Sequence, residues 1–261
     1  MPASSGTAKI CGFDVFEQAL EIRKIIGYLP ETPPLYSDMV VYDYLSFAAR
    51  LRNVPLKNTQ SAVEQVIEKC SLKEARERII GRLSKGYQQR VGIAQAMVHN
   101  PDILILDEPT IGLDPIQIIE IRKLIQELAL SHTIILSSHI LPEITQICKR
   151  VIIISDGQIA AVDSLDALTT RLHKGERLLL KVRQNSSEIL EKLRALKKVN
   201  AVTEHQPAHF TIDCEPNADI QDEIAQLSLD NKWGIVELKP VLMTLEDIFL
   251  KLTLEENEVQ Q

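Results

Sequence analysis

The sequence predicts an α/β fold, with a parallel sheet and crossover helices followed by a smaller α+β unit. Three observations carry that expectation. Short β-branched apolar runs recur at 103–106, 133–136 and 151–154, and they are nearly continuous, as strands buried on both faces should be. Between the first two, Ile118, Ile121, Leu124, Ile125 and Leu128 repeat at helical spacing within 116–130. Beyond Leu168 the pattern changes to short strands and helices in a different order. Strand, helix, strand, helix, strand implies parallel pairing, because crossover helices return the chain to the same end of the sheet.

Taken in chain order, 7–11 reads as a short strand between the turn residues Gly6 and Gly12, and 25–29 as another. Pro30, Pro33 and Pro34 keep the next segment extended, since proline removes donors and restricts its predecessor. A mostly helical stretch covers about 41–100. Within it, Ser71 and Glu74 have capping-box spacing ahead of a helix carrying Ala75, Ile79 and Ile80. A further helix is expected over 87–98. After Leu168, strands are expected at 178–182, 201–204, 210–213 and 235–238, with helices at 188–196 and 220–227. That βαββαβ order suggests a ferredoxin-like module. Thr244 and Asp247 have helix-start spacing before Ile248, Phe249 and Leu250, and 255–261 reads as a polar tail.

Composition narrows the function. With 261 residues, 45% hydrophobic and 25% charged, the chain can bury a real core as a soluble globular protein. A net charge of −7 weighs against a dedicated nucleic-acid binder, which needs a concentrated basic face. The cysteines at 11, 70, 148 and 214 are scattered without metal-ligand spacing, which fits reduced cytosolic thiols. No apolar run approaches bilayer length, so work at a membrane would need another chain to span it.

Ligands of open α/β sheets sit beyond the carboxyl ends of the strands, which directs attention to where the apolar runs stop. Asp107 and Glu108 follow the run 103–106, so two carboxylates emerge together, one able to serve a metal and the other a water. The next run ends in Ser137, Ser138 and His139, placing an imidazole at the same sheet edge. An Asp-Glu pair alone is more often a solvated turn, and a lone histidine more often structural. The combination is what carries information.

Here the chain resembles the nucleotide-binding domain of ABC transporters. Leu83-Ser84-Lys85-Gly86-Tyr87-Gln88-Gln89-Arg90 is similar to that family's signature motif, 103–108 to its Walker B strand and catalytic glutamate, and Gly112-Leu113-Asp114-Pro115 to its D-loop. His139 resembles the switch histidine, and Tyr28-Leu29-Pro30-Glu31 stands at the Q-loop position. The resemblance covers about 6–168 and implies a P-loop NTPase-like ATPase domain at 1–170, with its helical subdomain at about 41–100 and a C-terminal extension at 176–254. The stretch 245–249 is similar to the ending of exporter-type subunits that carry such an extension.

The resemblance implies ATP and Mg²⁺ as ligands, and roles follow residue by residue. Asp107, with Glu31, would serve the metal through its water shell, because magnesium takes few direct carboxylates. Glu108 would polarise the attacking water and His139 would contact the γ-phosphate. Ser84, Lys85, Gly86 and Tyr87 would offer a helix N-terminus to ATP held by a second subunit packed head to tail, and Asp114 would reach across that interface. A separate membrane permease would be the other partner, which places the chain on the cytoplasmic face of the membrane. Lys85, Tyr87 and Glu31 depart from the commonest glycine, glutamine and glutamine of the family; Glu31 adds a charge and removes an amide donor.

A P-loop needs Gly-x-x-x-x-Gly-Lys-[Ser/Thr] so that backbone N–H groups wrap the phosphates, and no Gly-Lys dipeptide occurs in the chain. The expectation is that this loop and its strand lie upstream of Met1, leaving an open strand edge and apolar surface. Two other readings stand beside the transporter subunit: a non-catalytic protein lending its signature motif to an intact partner, and an ABC ATPase acting away from membranes.

Overall fold

The computed structural model describes residues 3–164, 167–168, 176–184, 187–215 and 218–241. They group into two compact units, Met1–Ile147 and Cys148–Gln261.

The first unit opens with the small hairpin of β1 (Lys9–Ile10) and β2 (Phe13–Asp14), turned by Cys11 and Gly12 at φ 50° and 85°. Helix α1 (Ala19–Ile25) leads into β3 (Ile26–Leu29). Helices α2 (Val41–Leu51), α3 (Leu56–Lys69) and α4 (Lys85–Met97) follow, then β4 (Ile103–Asp107), α5 (Pro115–Leu128), β5 (Thr133–Ser137) and α6 (Leu141–Ile147). Strands β3, β4 and β5 form a parallel sheet in that order, with Leu29 beside Leu106 and Leu106 beside Leu136. Alternate positions of β4, Leu104 and Leu106, are fully buried against Leu29, Ile93, Ile121 and Ile125. Each such side chain contributes about 1.5–3 kcal/mol on leaving water. This burial fixes the register that brings the carboxyl ends of β4 and β5 together, as Asp107 pairs with Ser137.

The structure corrects the capping reading at Ser71. That residue, at φ 55°, ends α3 rather than starting a new helix. Its N–H donates to the Glu68 carbonyl at 3.1 Å and that of Leu72 to Ile67 at 2.8 Å, the bond pair of a Schellman stop. Leu72 is fully buried, so the apolar contact that accompanies this stop outweighs the capping box; only a 3₁₀ turn, Lys73–Ala75, follows.

The apolar runs are not all buried on both faces. Strand β5 is an edge of its sheet and Ile135 is 56% exposed. In the second unit the run 151–154 lies in β6 (Arg150–Ser155), which pairs antiparallel with β7 (Gln158–Ser164) instead of extending a parallel sheet. The tight turn at Asp156 and Gly157, φ 45° and 78°, makes the hairpin partner the local choice.

The rest of the second unit follows the expected order: β8 (Glu176–Val182), α7 (Ser187–Arg194), β9 (Val199–Gln206), β10 (His209–Cys214), α8 (Gln221–Asp230) and β11 (Ile235–Pro240). Its antiparallel sheet runs β11-β8-β10-β9, the ferredoxin-like arrangement. Leu178, Leu180, Phe210 and Ile212 alternate inward and pack with Ile189, Leu193, Ile224 and Trp233. Pro240 pairs with Leu178, and the Val241 N–H donates to the Arg177 carbonyl at 2.8 Å. The helix start at Thr244 and Asp247, the 245–249 stretch and the polar tail lie outside the described residues.

Candidate functional site

The site begins where β4 stops. Glu108 leaves the strand at φ 44°, a backbone conformation uncommon for a residue with a Cβ and concentrated at functional positions. The turn is held from β5: the Glu108 N–H donates to the Ser137 carbonyl and to Ser137 Oγ, both at 3.2 Å. Ser137 Oγ in turn donates to Asp107 Oδ1. One serine therefore fixes both carboxylate residues, a role its place at a strand end did not reveal.

The turn aims the Glu108 side chain at His139. Oε1 accepts the His139 N–H at 2.9 Å and lies 2.9 Å from Nδ1 of the ring. The Glu108 side chain is 17% exposed, and its Oε2 is buried with no protein partner. The hydrogen bond that the ring donates to Glu108 raises the His139 pKa above its ordinary 6.5, with the charge of Glu108, and those of Glu143 and Glu31, adding to the effect. A proton on Nδ1 directed at the carboxylate leaves Nε2 facing away, as a donor whenever the ring is charged. The structure thus brings Glu108 and His139 into contact, with Asp107 beside them through Ser137.

Glu31 is exposed in the turn after β3 and reaches the pair through its charge. Among the described residues no cluster of three or more His, Cys, Asp or Glu could cage a metal. The donor set suits Mg²⁺ held mainly by phosphates and water, with Asp107 as a single carboxylate, because magnesium keeps most of its waters.

The signature residues form a second cluster. Ser84 caps α4, its hydroxyl accepting the Tyr87 N–H at 3.4 Å. The first turn of α4 then leaves N–H groups free to meet an anion. Lys85 and Gly86 face the start of α5. A Cβ on Gly86 would lie 2.6 Å from the Gln117 side chain, and one on Gly112, at φ 68°, would lie 2.2 Å from Lys85 Nζ. Asp114 caps α5, its Oδ1 accepting the N–H groups of Ile116 and Gln117 at 3.0 Å each. Signature and D-loop residues are thus assembled with each other, and the Glu108–His139 pair stands apart as its own contact.

Two further residues escaped sequence reasoning. Thr110 and Glu143, each 2% exposed, share a 2.5 Å hydrogen bond. Nothing in a lone threonine after a proline marks such a bond.

Known proteins resemble this chain in sequence and in fold. A family described as ABC transporter matches residues 1–111. The bacitracin transport ATP-binding protein BcrA of Bacillus licheniformis is 33% identical over 251 residues, 95% of this chain and 79% of that protein. YxlF of Bacillus subtilis, an uncharacterized ABC transporter ATP-binding protein, is 30% identical over 257 residues, 95% of this chain and 81% of that one. A solved structure of the ATP-binding subunit of an ABC transporter superposes with a TM-score of 0.57 at 27% identity, covering 64% of this chain and 70% of the other.

Proposed function

Since the chain belongs to the ATP-binding proteins of ABC transporters, we propose that Glu108 and His139 carry out ATP hydrolysis in it, coupled to transport through a separate membrane permease. The observation that carries this reading is the asymmetry of the Glu108 carboxylate: His139 holds Oε1, while the buried Oε2 has no protein partner. A carboxylate fixed by one oxygen presents the other to a water as a proton acceptor. Oε2 takes a proton from the water that attacks the γ-phosphate, and ADP departs as the β,γ bond breaks. The outward Nε2 of His139 donates to a phosphate oxygen as charge builds there. Mg²⁺, when bound, would neutralise phosphate charge and be served by Asp107, with Glu31 near by.

The N–H groups of Lys85 and Gly86 at the start of α4, which Ser84 caps through Tyr87, suit the triphosphate of a second subunit in a head-to-tail dimer, with Asp114 at the same face. No described helix is long and apolar enough to cross a membrane. In this reading, by analogy with its ATP-binding relatives, the chain works at the cytoplasmic face of a separate permease. A second reading rests on the start of α4 alone, where Ser84 caps the helix and the N–H groups that follow suit an anion. In that reading the chain lends Ser84 and Gly86 to ATP bound by another subunit and turns over none of its own.

The deciding measurement is Mg-ATP turnover by the complex this chain forms with its permease. Glu108→Gln keeps the size of the side chain and removes the base, so turnover falls about 10²–10⁴-fold, while ATP remains bound in filter binding. Turnover within twofold of wild type sinks the catalytic reading and leaves the lending one.

A further inference from the structure

Glu143 is 2% exposed, four positions beyond His139, and the proposed hydrolysis makes no use of it. A carboxylate is costly to bury unless hydrogen bonds and opposite charge compensate it. Here the compensation comes from two other segments. Thr110, two positions beyond Glu108, donates its hydroxyl to Glu143 Oε2 at 2.5 Å. Arg122, in the middle of α5, brings Nη2 to 3.7 Å from Oε1 and donates through Nη1 to Gln146, one turn further along α6. The Glu143 N–H also closes the first turn after His139, donating to the Ile140 carbonyl at 3.0 Å.

The loop after Glu108 has few other tethers. Ser137 holds the Glu108 N–H from the β5 side, and beyond it the Ile111 N–H meets the Glu108 carbonyl at 3.1 Å. Thr110 supplies the side-chain attachment to α6. We infer that Glu143 is a positioning residue that sets the contact between Glu108 and His139. It grips the loop just past the carboxylate and the helix just past the imidazole, so neither can shift without breaking a buried charged hydrogen bond. Through Arg122 the same carboxylate ties the pair to α5, the helix that Asp114 caps. The inference rests on the roles proposed for Glu108 and His139, but its test reads their contact without any hydrolysis.

The test is the titration of the His139 ring protons, followed by NMR in the whole chain. Thr110→Val replaces the hydroxyl by a methyl group of the same shape and changes no charge. If Glu143 positions the pair through Thr110, the His139 midpoint falls toward its ordinary value of 6.5 in Thr110→Val, by more than the spread of replicate titrations. Thr110→Ser, which keeps the hydroxyl, holds the wild-type midpoint. In a Glu108→Gln background, Thr110→Val produces no further shift, because the partner through which it acts has lost its charge. An unchanged midpoint in Thr110→Val, even with a lower melting temperature, overturns the inference by showing a purely structural bond. An equal shift in the Glu108→Gln background overturns it as well. Should Thr110→Val not fold, Thr110→Ala is read by the same comparisons.

Discussion

One carboxylate oxygen, Glu108 Oε1, receives both the main-chain N–H and the ring Nδ1 of His139, each at 2.9 Å. The first bond is indifferent to pH and keeps the two residues together. The second strengthens when the ring is charged, so the pair is graded by protonation rather than made or broken.

The sign of the pH dependence follows from the raised His139 pKa. Charged-ring stabilisation is fully present below the ordinary value of 6.5 and is lost as pH rises through the elevated folded value. His139→Gln should therefore lower the melting temperature most below pH 6.5, by a gap that closes as pH rises through the elevated folded value. The effect is small, because the ring is 65% exposed and water screens it. Thermal melts of both proteins across that range check it; a gap that does not change with pH means the ring contributes no charge-dependent stability.

Two glycines of the first unit should respond unequally to alanine. A Cβ on Gly27 in β3 would lie 2.1 Å from the Ala96 carbonyl oxygen of α4, which is main chain and cannot swing away. Gly27→Ala should cost about 3 kcal/mol, the upper range for overpacking a core. At Gly86 the obstacle is the end of the Gln117 side chain, 2.6 Å away, which can rotate. Gly86→Ala should change stability by less than about 0.5 kcal/mol, as new helix propensity offsets the displaced amide. Urea denaturation separates the two, and equal losses would show that Gln117 is held as firmly as the α4 backbone.

Thiol reactivity should rank by burial. Cys11 is exposed, whereas Cys70 is fully buried and its pKa is pushed up to about 12 by desolvation. Only about one Cys70 in ten thousand is then a thiolate at pH 8, and the thiolate is the reactive form. Cys148 is half-buried, with its pKa also raised by burial. Brief iodoacetamide treatment of the native chain should label Cys11 first, Cys148 slowly and Cys70 only after unfolding, as read by peptide mass spectrometry. Labelling of Cys70 at the rate of Cys11 would mean that the α2–α4 core opens readily.

Much of the Glu108–His139 pair was legible because strand ends are legible. Apolar runs of β-branched residues stop abruptly, and the polar residues just beyond them, Asp107-Glu108 and Ser137-Ser138-His139, must share a sheet edge if the strands are parallel neighbours. The contact itself was not legible, since it depends on the positive φ of Glu108, a conformation chosen by the Ser137 bonds. Ser71 misled for a related reason. Its spacing to Glu74 satisfies a local pattern, but burying Leu72 selected a helix stop over a helix start. The Thr110–Glu143 bond joins segments 33 positions apart, and neither side chain announces its partner. Exposure of Ile135, Ile152 and Ile154 was equally hidden, because an apolar run records a preference for burial without saying what covers it.

The pairing of β8 with β11 brings Pro240 beside Leu178 and seals the join with the Val241 to Arg177 hydrogen bond. The polypeptide thus leaves this sheet about one strand spacing, roughly 5 Å, from where it came in. A unit closed in that way behaves as a cassette on a common doorway. A short bridge across 176–241 would cut it out, and a foreign sheet of the same closure could be spliced in its place, with little demand on the flanking chain. Tension applied to the loop between β9 and β10 would likewise be resisted within the sheet, by strands loaded in shear, before it reached residues on either side of the doorway.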